Sequence, residues 1–239
     1  MKALNMIKPA ILLLIATSFQ TLTVNAQETK NIAISNFSGV SVSAGISLIL
    51  TQGSTEGAKV VANEESINEV VIEKNGSTVN VKWKEYKGFF GGGPKNKSAK
   101  VYISYKKLNA IQASSGSSVT TESLLKTDRL DIRVSSGASA SVKVTATDLQ
   151  LQVSSGGSAS LNGTATNFVL QASSGSSVKA VDLITENADV KTSSGATVTV
   201  NANKTLQTNS SSGSSIGYKG NAEVEVQSKS KGTGVRKIS

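Results

Sequence analysis

The chain has 239 residues, length enough for one large domain or two small ones, but aromatics make up 4% of it and charged residues 17%. A core of large rings is therefore excluded. Cysteine and histidine are both absent, which excludes disulfides, thiolate nucleophiles, zinc-thiolate sites and imidazole bases. The 21 glycines against 2 prolines, with a formal charge of +9, fit many short strands joined by tight corners around a thin core of Val, Ile, Leu and Ala.

Residues 1–26 have the pattern of a signal peptide. Lys2 and Lys8 give a positive start, Ala10 to Phe19 form an apolar run, and Val24-Asn25-Ala26 is a small-residue cleavage site. The run is too short to span a bilayer comfortably. The expected mature chain, 27–239, starts at Gln27, is exported, and has no transmembrane segment. It keeps 23 basic and 16 acidic residues, a net charge of +7. Solubility is the ordinary reading of that charge, and attraction to anionic glycans or lipids the alternative. No nucleic-acid partner is expected.

Val40 and Val42 precede Gly45, and Leu48 and Leu50 follow it, so two short alternating strands flank a glycine. Further strands are predicted over 58–62, 77–84 and 99–105, with one helical turn over 64–70. Between the last two strands lies the segment 86–97, with Phe89 and Phe90 beside Gly91-Gly92-Gly93 and with Lys87, Lys95 and Lys97 around them. Two readings stand. The segment folds over one end of the molecule as a cap, or its aromatic faces and cations (Lys87, Phe89, Phe90, Lys95, Lys97) bind an acidic glycan or a protein partner. The second reading locates any ligand there, because the rest of the chain offers small or amide outward positions with little concavity.

From residue 109 onward a repeat decides the fold. Ser-Ser-Gly recurs with glycines at Gly116, Gly137, Gly156, Gly175, Gly195 and Gly213, spaced by 21, 19, 19, 20 and 18 residues. Five positions before the glycine stand Ile111, Ile132, Leu151, Leu170, Val190 and Thr208. Three after it stand Val119, Ala140, Ala159, Val178, Val198 and Ile216. Apolar columns alternating with polar ones mean half-buried strands on both sides of each glycine. A coil of ~19 residues closes around one layer of side chains and buries it by stacking on its neighbours. The predicted fold is all-β: a right-handed parallel β-helix of about six Ser-Ser-Gly rungs over 111–239, with an N-terminal β region, 27–110, as its cap. Gly45 and the six repeat glycines are its structural corners, and hydroxyl stacking between rungs is expected there. Asp148, Asn167 and Asn187 mark a third side. Val224 and Val226 start a last rung, whose Lys229, Lys231, Arg236 and Lys237 protect its edge.

The motifs Phe37-Ser38-Gly39-Val40 and Gly45-Ile46-Ser47, the run Leu48 to Gly53 and the serine-glycine repeats resemble the "head GIN domain" family of auto-transporter adhesins from exported Gram-negative proteins, over residues 32–236. The resemblance implies a β-helix and a location in the periplasm, on the outer-membrane surface or in the medium. The expected function is that of a non-catalytic cell-envelope protein with an adhesin-like binding or structural role, its partner a surface glycan or protein. The alternatives are a polysaccharide lyase or hydrolase, or an envelope assembly scaffold, and association into oligomers is compatible with any of these. Asp131 and Asp189 share one column and Asp128 and Glu186 another, but neither pair forms a carboxylate pair or acidic cluster. No catalytic residue, metal or cofactor is therefore assigned.

Overall fold

The computed structural model describes residues 27–84, 97–229 and 234–238. Its elements run β1 (Gln27–Ile32), β2 (Gly39–Val42), β3 (Ser47–Gln52), β4 (Gly57–Asn63), α1 (Glu64–Ile67), β5 (Val70–Asn75), β6 (Thr78–Trp83), β7 (Ala99–Tyr105), β8 (Ala110–Ala113) and β9 (Ser118–Thr121). They continue as β10 (Leu125–Val134), β11 (Ser139–Val153), β12 (Ser158–Ala172), β13 (Ser177–Thr192), β14 (Thr197–Ser210), β15 (Ser215–Lys219), β16 (Glu223–Lys229) and β17 (Gly234–Lys237). Strands β11 to β14 are long because each leaves one corner, bends on the third side and runs into the next corner.

The strands stack in parallel as a β-solenoid. One face is built from β6, β2, β8 and the second halves of β10 to β14, ending on β16. A second face is built from β7, β3, β9 and the first halves of β11 to β14, ending on β15 and β17. Register follows the predicted columns: Ile132 stands beside Ile111 and Leu151, and Leu170 beside Leu151 and Val190. A slip of one residue would turn every one of these side chains to solvent.

At the N-terminal end the pairing turns antiparallel, with β5 on β6, β4 on β7 and β1 on β4. These strands cover the parallel edges that the stack would otherwise present. The rungs there do not follow chain order. The β2–β3 pair comes first in sequence, yet it lies between β6–β7 on one side and β8–β9 on the other. The stack therefore runs through residue 110 without a break. The helical turn α1 is capped by Asn63, whose side chain accepts from the Ser66 N–H at 2.9 Å.

The core is a single column of aliphatic side chains. Val40, Leu50, Ile111, Ile132, Leu151, Leu170 and Val190 are all fully buried, and each such side chain contributes about 1.5–3 kcal/mol relative to exposure. Size is balanced between neighbours: Phe168 lies beside Ala188 and Leu149 in register, so one large ring fills space that a small residue leaves. Toward the C-terminal end the core takes up hydroxyls, with Thr192, Thr208, Ser210 and Ser214 all buried. Thr192 and Ser214 hydrogen-bond through their hydroxyls at 2.9 Å, while the Ser210 hydroxyl is buried without a partner among the described residues.

The corners explain Ser-Ser-Gly. In each of the six, the second serine and the glycine both have positive φ, as at Ser155 (50°) and Gly156 (69°). These are the two central positions of a type I′ turn, closed by the residue after the glycine: Gly157 N–H donates to the Ser154 carbonyl at 2.9 Å. The serine carries left-handed strain of about 1–2 kcal/mol. A main-chain ladder offsets it. Gly116, Gly137, Gly156, Gly175 and Gly195 each donate N–H to the second serine's carbonyl in the following rung, at 2.9–3.1 Å. The ladder that stacks the corners is thus main chain, where hydroxyl stacking was expected. Hydroxyls act one position after the glycine, facing inward: Ser117 donates to the Val42 carbonyl and Ser176 to that of Val153, both at 3.1 Å.

Candidate functional site

The segment singled out for aromatics and cations connects β6 to β7. Between β2 and β3 that connection is the Ala44–Gly45 turn, and between the later strand pairs it is a Ser-Ser-Gly turn. Lys87, Phe89, Phe90 and Lys95 lie outside the described residues. Lys97 lies within them, its Nζ 5.6 Å from the centre of the Trp83 ring, a cation–π distance. Trp83 in turn donates its indole N–H to the Ala44 carbonyl at 2.7 Å. Lys97 thus lies over Trp83, which is itself held to the corner of the neighbouring rung at Ala44.

The solenoid wall carries a feature the sequence reading did not anticipate: a groove of about 920 Å³ on the third side. Its floor comes from the two 19-residue repeats, through Thr145-Ala146-Thr147 on β11 and Thr164-Ala165-Thr166 on β12. The alanines point inward and are buried. Thr145, Thr147 and Thr164 are exposed and Thr166 partly so. Thr164 donates its hydroxyl to that of Thr145 at 3.3 Å.

Repeat length explains the concavity. In the 21-residue repeat, four residues lie between Thr120 and Leu125, where the next rung has two between Ser141 and Val144. Lys126 and Asp128 follow this excursion, and with Lys107 they line one end of the groove. In the 20-residue repeat, residues 181–183 have no partner on β14, because Ala180 pairs with Val200 and Ile184 with Asn201. On β14, Asn203 and Lys204 stand opposite Glu186 alone. Such bulges bend the strand locally. They raise a second end wall from Ile184, Glu186, Asn203 and Lys204. Lys204 donates to Glu186 at 2.7 Å, and Ile184 is 51% exposed.

Beside the groove a side-chain ladder holds the bend. Asn167 donates its amide to Asp148 at 2.8 Å, Asn187 to Asn167 at 3.1 Å, and Thr205 its hydroxyl to Asn187 at 2.9 Å. The turn residues read on the third side are thus brought into one line.

The carboxylates do not converge. Asp128 and Glu186 line opposite ends of the groove, three rungs or about 14 Å apart at strand spacing. Paired carboxylates for glycoside hydrolysis stand roughly 5–9.5 Å apart. Asp131 and Asp189 are likewise separated by the Gln150 and Val169 rungs. Each meets its own cation, Arg133 at 3.2 Å and Lys191 at 3.3 Å. The hydrogen bond and charge of Asp131 push the Arg133 pKa up. Among the described residues, no group of three or more Asp or Glu side chains is placed to hold a metal ion, and no helix is long and apolar enough to cross a membrane.

Comparison with known proteins bears on this geometry. The profile of the family described as "Putative auto-transporter adhesin, head GIN domain" matches residues 36–222. Among solved structures, a "putative adhesin" from Bacteroides fragilis superposes with a TM-score of 0.79 at 20% identity, over 89% of this chain and 97% of that one. A "putative adhesin" from Parabacteroides distasonis gives 0.71 at 20% identity, over 90% and 98%. A "putative lipid binding protein" from the same species gives 0.66 at 18% identity, over 89% and 97%. These likenesses establish the shared solenoid fold. No curated protein matches the chain.

Proposed function

Because the chain belongs to the head GIN domain family of auto-transporter adhesins, we propose that it is an exported, non-catalytic protein of the cell envelope that binds a surface glycan or partner through the outside of its solenoid. The observation that carries this reading is the third-side groove, a channel of mixed polar and apolar lining running across several rungs, whose floor strands β11 and β12 are paired on both sides. Such a wall is rigid, and rigidity lowers the entropy lost on binding. The separation of the carboxylates argues against the polysaccharide lyase or hydrolase alternative. Lys87, Phe89, Phe90, Lys95 and Lys97 remain part of the proposal as a second, cationic contact for an acidic glycan or protein.

The test is a glycan array probed with the purified chain 27–239, together with surface-accessibility labelling of intact cells. Specific capture of a glycan class and labelling from outside are the expected results. Capture of none, with release of shortened sugars from a polysaccharide, would replace binding by catalysis.

A further inference from the structure

The third-side groove has a chemistry of its own, and resting on the binding reading above, we infer that it is the seat of a linear, neutral polysaccharide chain. Three observations lead there.

The first is what the floor cannot do. A peptide commonly docks on a β-protein by adding a strand to an open edge. Here the floor strands β11 and β12 are paired on both sides: β11 with β10 and β12, and β12 with β11 and β13. No main-chain edge is free at the floor, so recognition there falls to side chains.

The second is which side chains the floor presents. Thr145, Thr147, Thr164 and Thr166 are β-branched, which limits them to few rotamers. Each hydroxyl can both donate and accept, and each methyl offers an apolar contact. Equivalent threonines recur at the rung spacing of ~4.8 Å. A sugar chain matches that surface, because every unit offers hydroxyls at its edge and C–H groups on its faces. Ile184, half exposed at one end, adds an apolar surface against which a ring face can lie. From the Lys126 rung to the Asn203 rung the groove is about 19 Å long at strand spacing, so it takes an extended chain of several units.

The third is charge. The floor carries none. Lys107, Lys126 and Asp128 stand at one end, and at the other Lys204 is neutralised by Glu186. The lining's three lysines and two carboxylates all stand at its ends, so a polyanion would cross the two uncharged threonine rungs in the middle and meet cations unmatched by a carboxylate only at the Lys107–Lys126 end. It would gain more from the lysines around Phe89 and Phe90. A neutral chain loses no solvation of charge on entering.

The experiment uses the whole mature chain, 27–239, titrated by calorimetry with cellohexaose as the neutral probe and a galacturonate hexamer as the acidic one. One variant, T145V/T147V/T164V/T166V, keeps shape and β-branching but removes the floor hydroxyls. Another, Thr147→Arg, fills the floor from an exposed position. The expected result is binding of cellohexaose by the parent, weakened at least tenfold in both variants, with melting temperatures within a few degrees of the parent. Unchanged cellohexaose affinity in folded variants would overturn the groove assignment and leave the binding function standing. Binding of the galacturonate alone, lost in F89A/F90A and insensitive to the threonine changes, would overturn it in favour of the cationic segment. Absence of binding to either probe and to a wider glycan array would overturn glycan binding itself. If the quadruple variant unfolds, Thr147→Arg alone decides between these outcomes.

Discussion

Replacing Gly163 by alanine should damage the protein far more than the same change at Gly156, although only Gly156 belongs to the repeat. Both residues have positive φ, +121° and +69°. A methyl at Gly156 would meet nothing within 4 Å, so its cost is that of a left-handed backbone, about 1–2 kcal/mol. A methyl at Gly163 would fall on the carbonyl oxygen of Val144, its parallel partner in the neighbouring rung. Relief needs the two rungs to part between Leu161 and Ala165, both buried. That means lost sheet hydrogen bonds and loosened core contacts together, a cost of more than ~4 kcal/mol. At roughly 2–4 °C per kcal/mol for a domain of this size, Gly156→Ala should lower the melting temperature by about 2–8 °C. Gly163→Ala should lower it by more than about 8 °C, or prevent folding. Thermal unfolding followed by far-ultraviolet circular dichroism on the two variants side by side makes the comparison. Equal shifts, or a larger one at Gly156, would refute the argument that backbone approach between rungs outweighs corner conformation.

Tyr105 is fully buried, its hydroxyl has no hydrogen-bond partner among the described residues, and burial pushes its pKa up to about 12. The unfolded chain ionises this group near pH 10 while the native one does not, so stability is intact below that pH and falls as pH rises toward 12, by roughly 2–3 kcal/mol. Tyr105→Phe should be at least as stable as the parent at pH 8, since it removes an unpaired buried hydroxyl, and its advantage should widen at pH 11.5; a pH-independent difference between the two proteins would sink the assignment. Asn167→Ala breaks two links of the third-side ladder and should cost about 1–2 kcal/mol, read as a small drop in denaturation midpoint, whereas Thr166→Ala beside it should be nearly silent. F89A/F90A should leave the melting temperature within a few degrees and abolish binding of any acidic ligand; unfolding of the variant would identify the segment as a cap. Envelope-purified protein should have the intact mass of a chain starting at Gln27, and retention of Met1 would overturn the signal-peptide reading.

Much of the solenoid was legible because its information is local and repeated. An alternating pattern that recurs every ~19 residues can bury itself only by stacking on its own equivalents. The inward columns such as Ile111, Ile132 and Leu151 then determine register as well as fold. The corners were legible as glycines, since Gly116 to Gly213 mark them in the sequence. That the preceding serine shares the left-handed conformation was not, because serine has no compositional signature for it. The helical turn at Glu64–Ile67 and the strand β4 before it followed from ordinary patterning, whereas β5 after it, which begins at Val70 inside the expected turn, did not.

Other features depended on contacts between rungs. No pattern in 39–105 announces that β2–β3 inserts beside β8–β9 with β6–β7 outside it; three equivalent pairs compete for two neighbouring places, and only complete packing chooses. Nothing in the sequence around Gly163 marks the close approach of the Val144 carbonyl from the neighbouring rung. The groove shows the division most clearly. The spacings of 21, 19, 19, 20 and 18 residues are written in the sequence, but they say only that some rungs carry extra residues. Where that length leaves the sheet depends on which positions keep their apolar columns in register. The inward side chains hold two faces fixed, so the surplus emerges at the third side, around Ile184 and before Lys126, and raises walls about a floor of threonines.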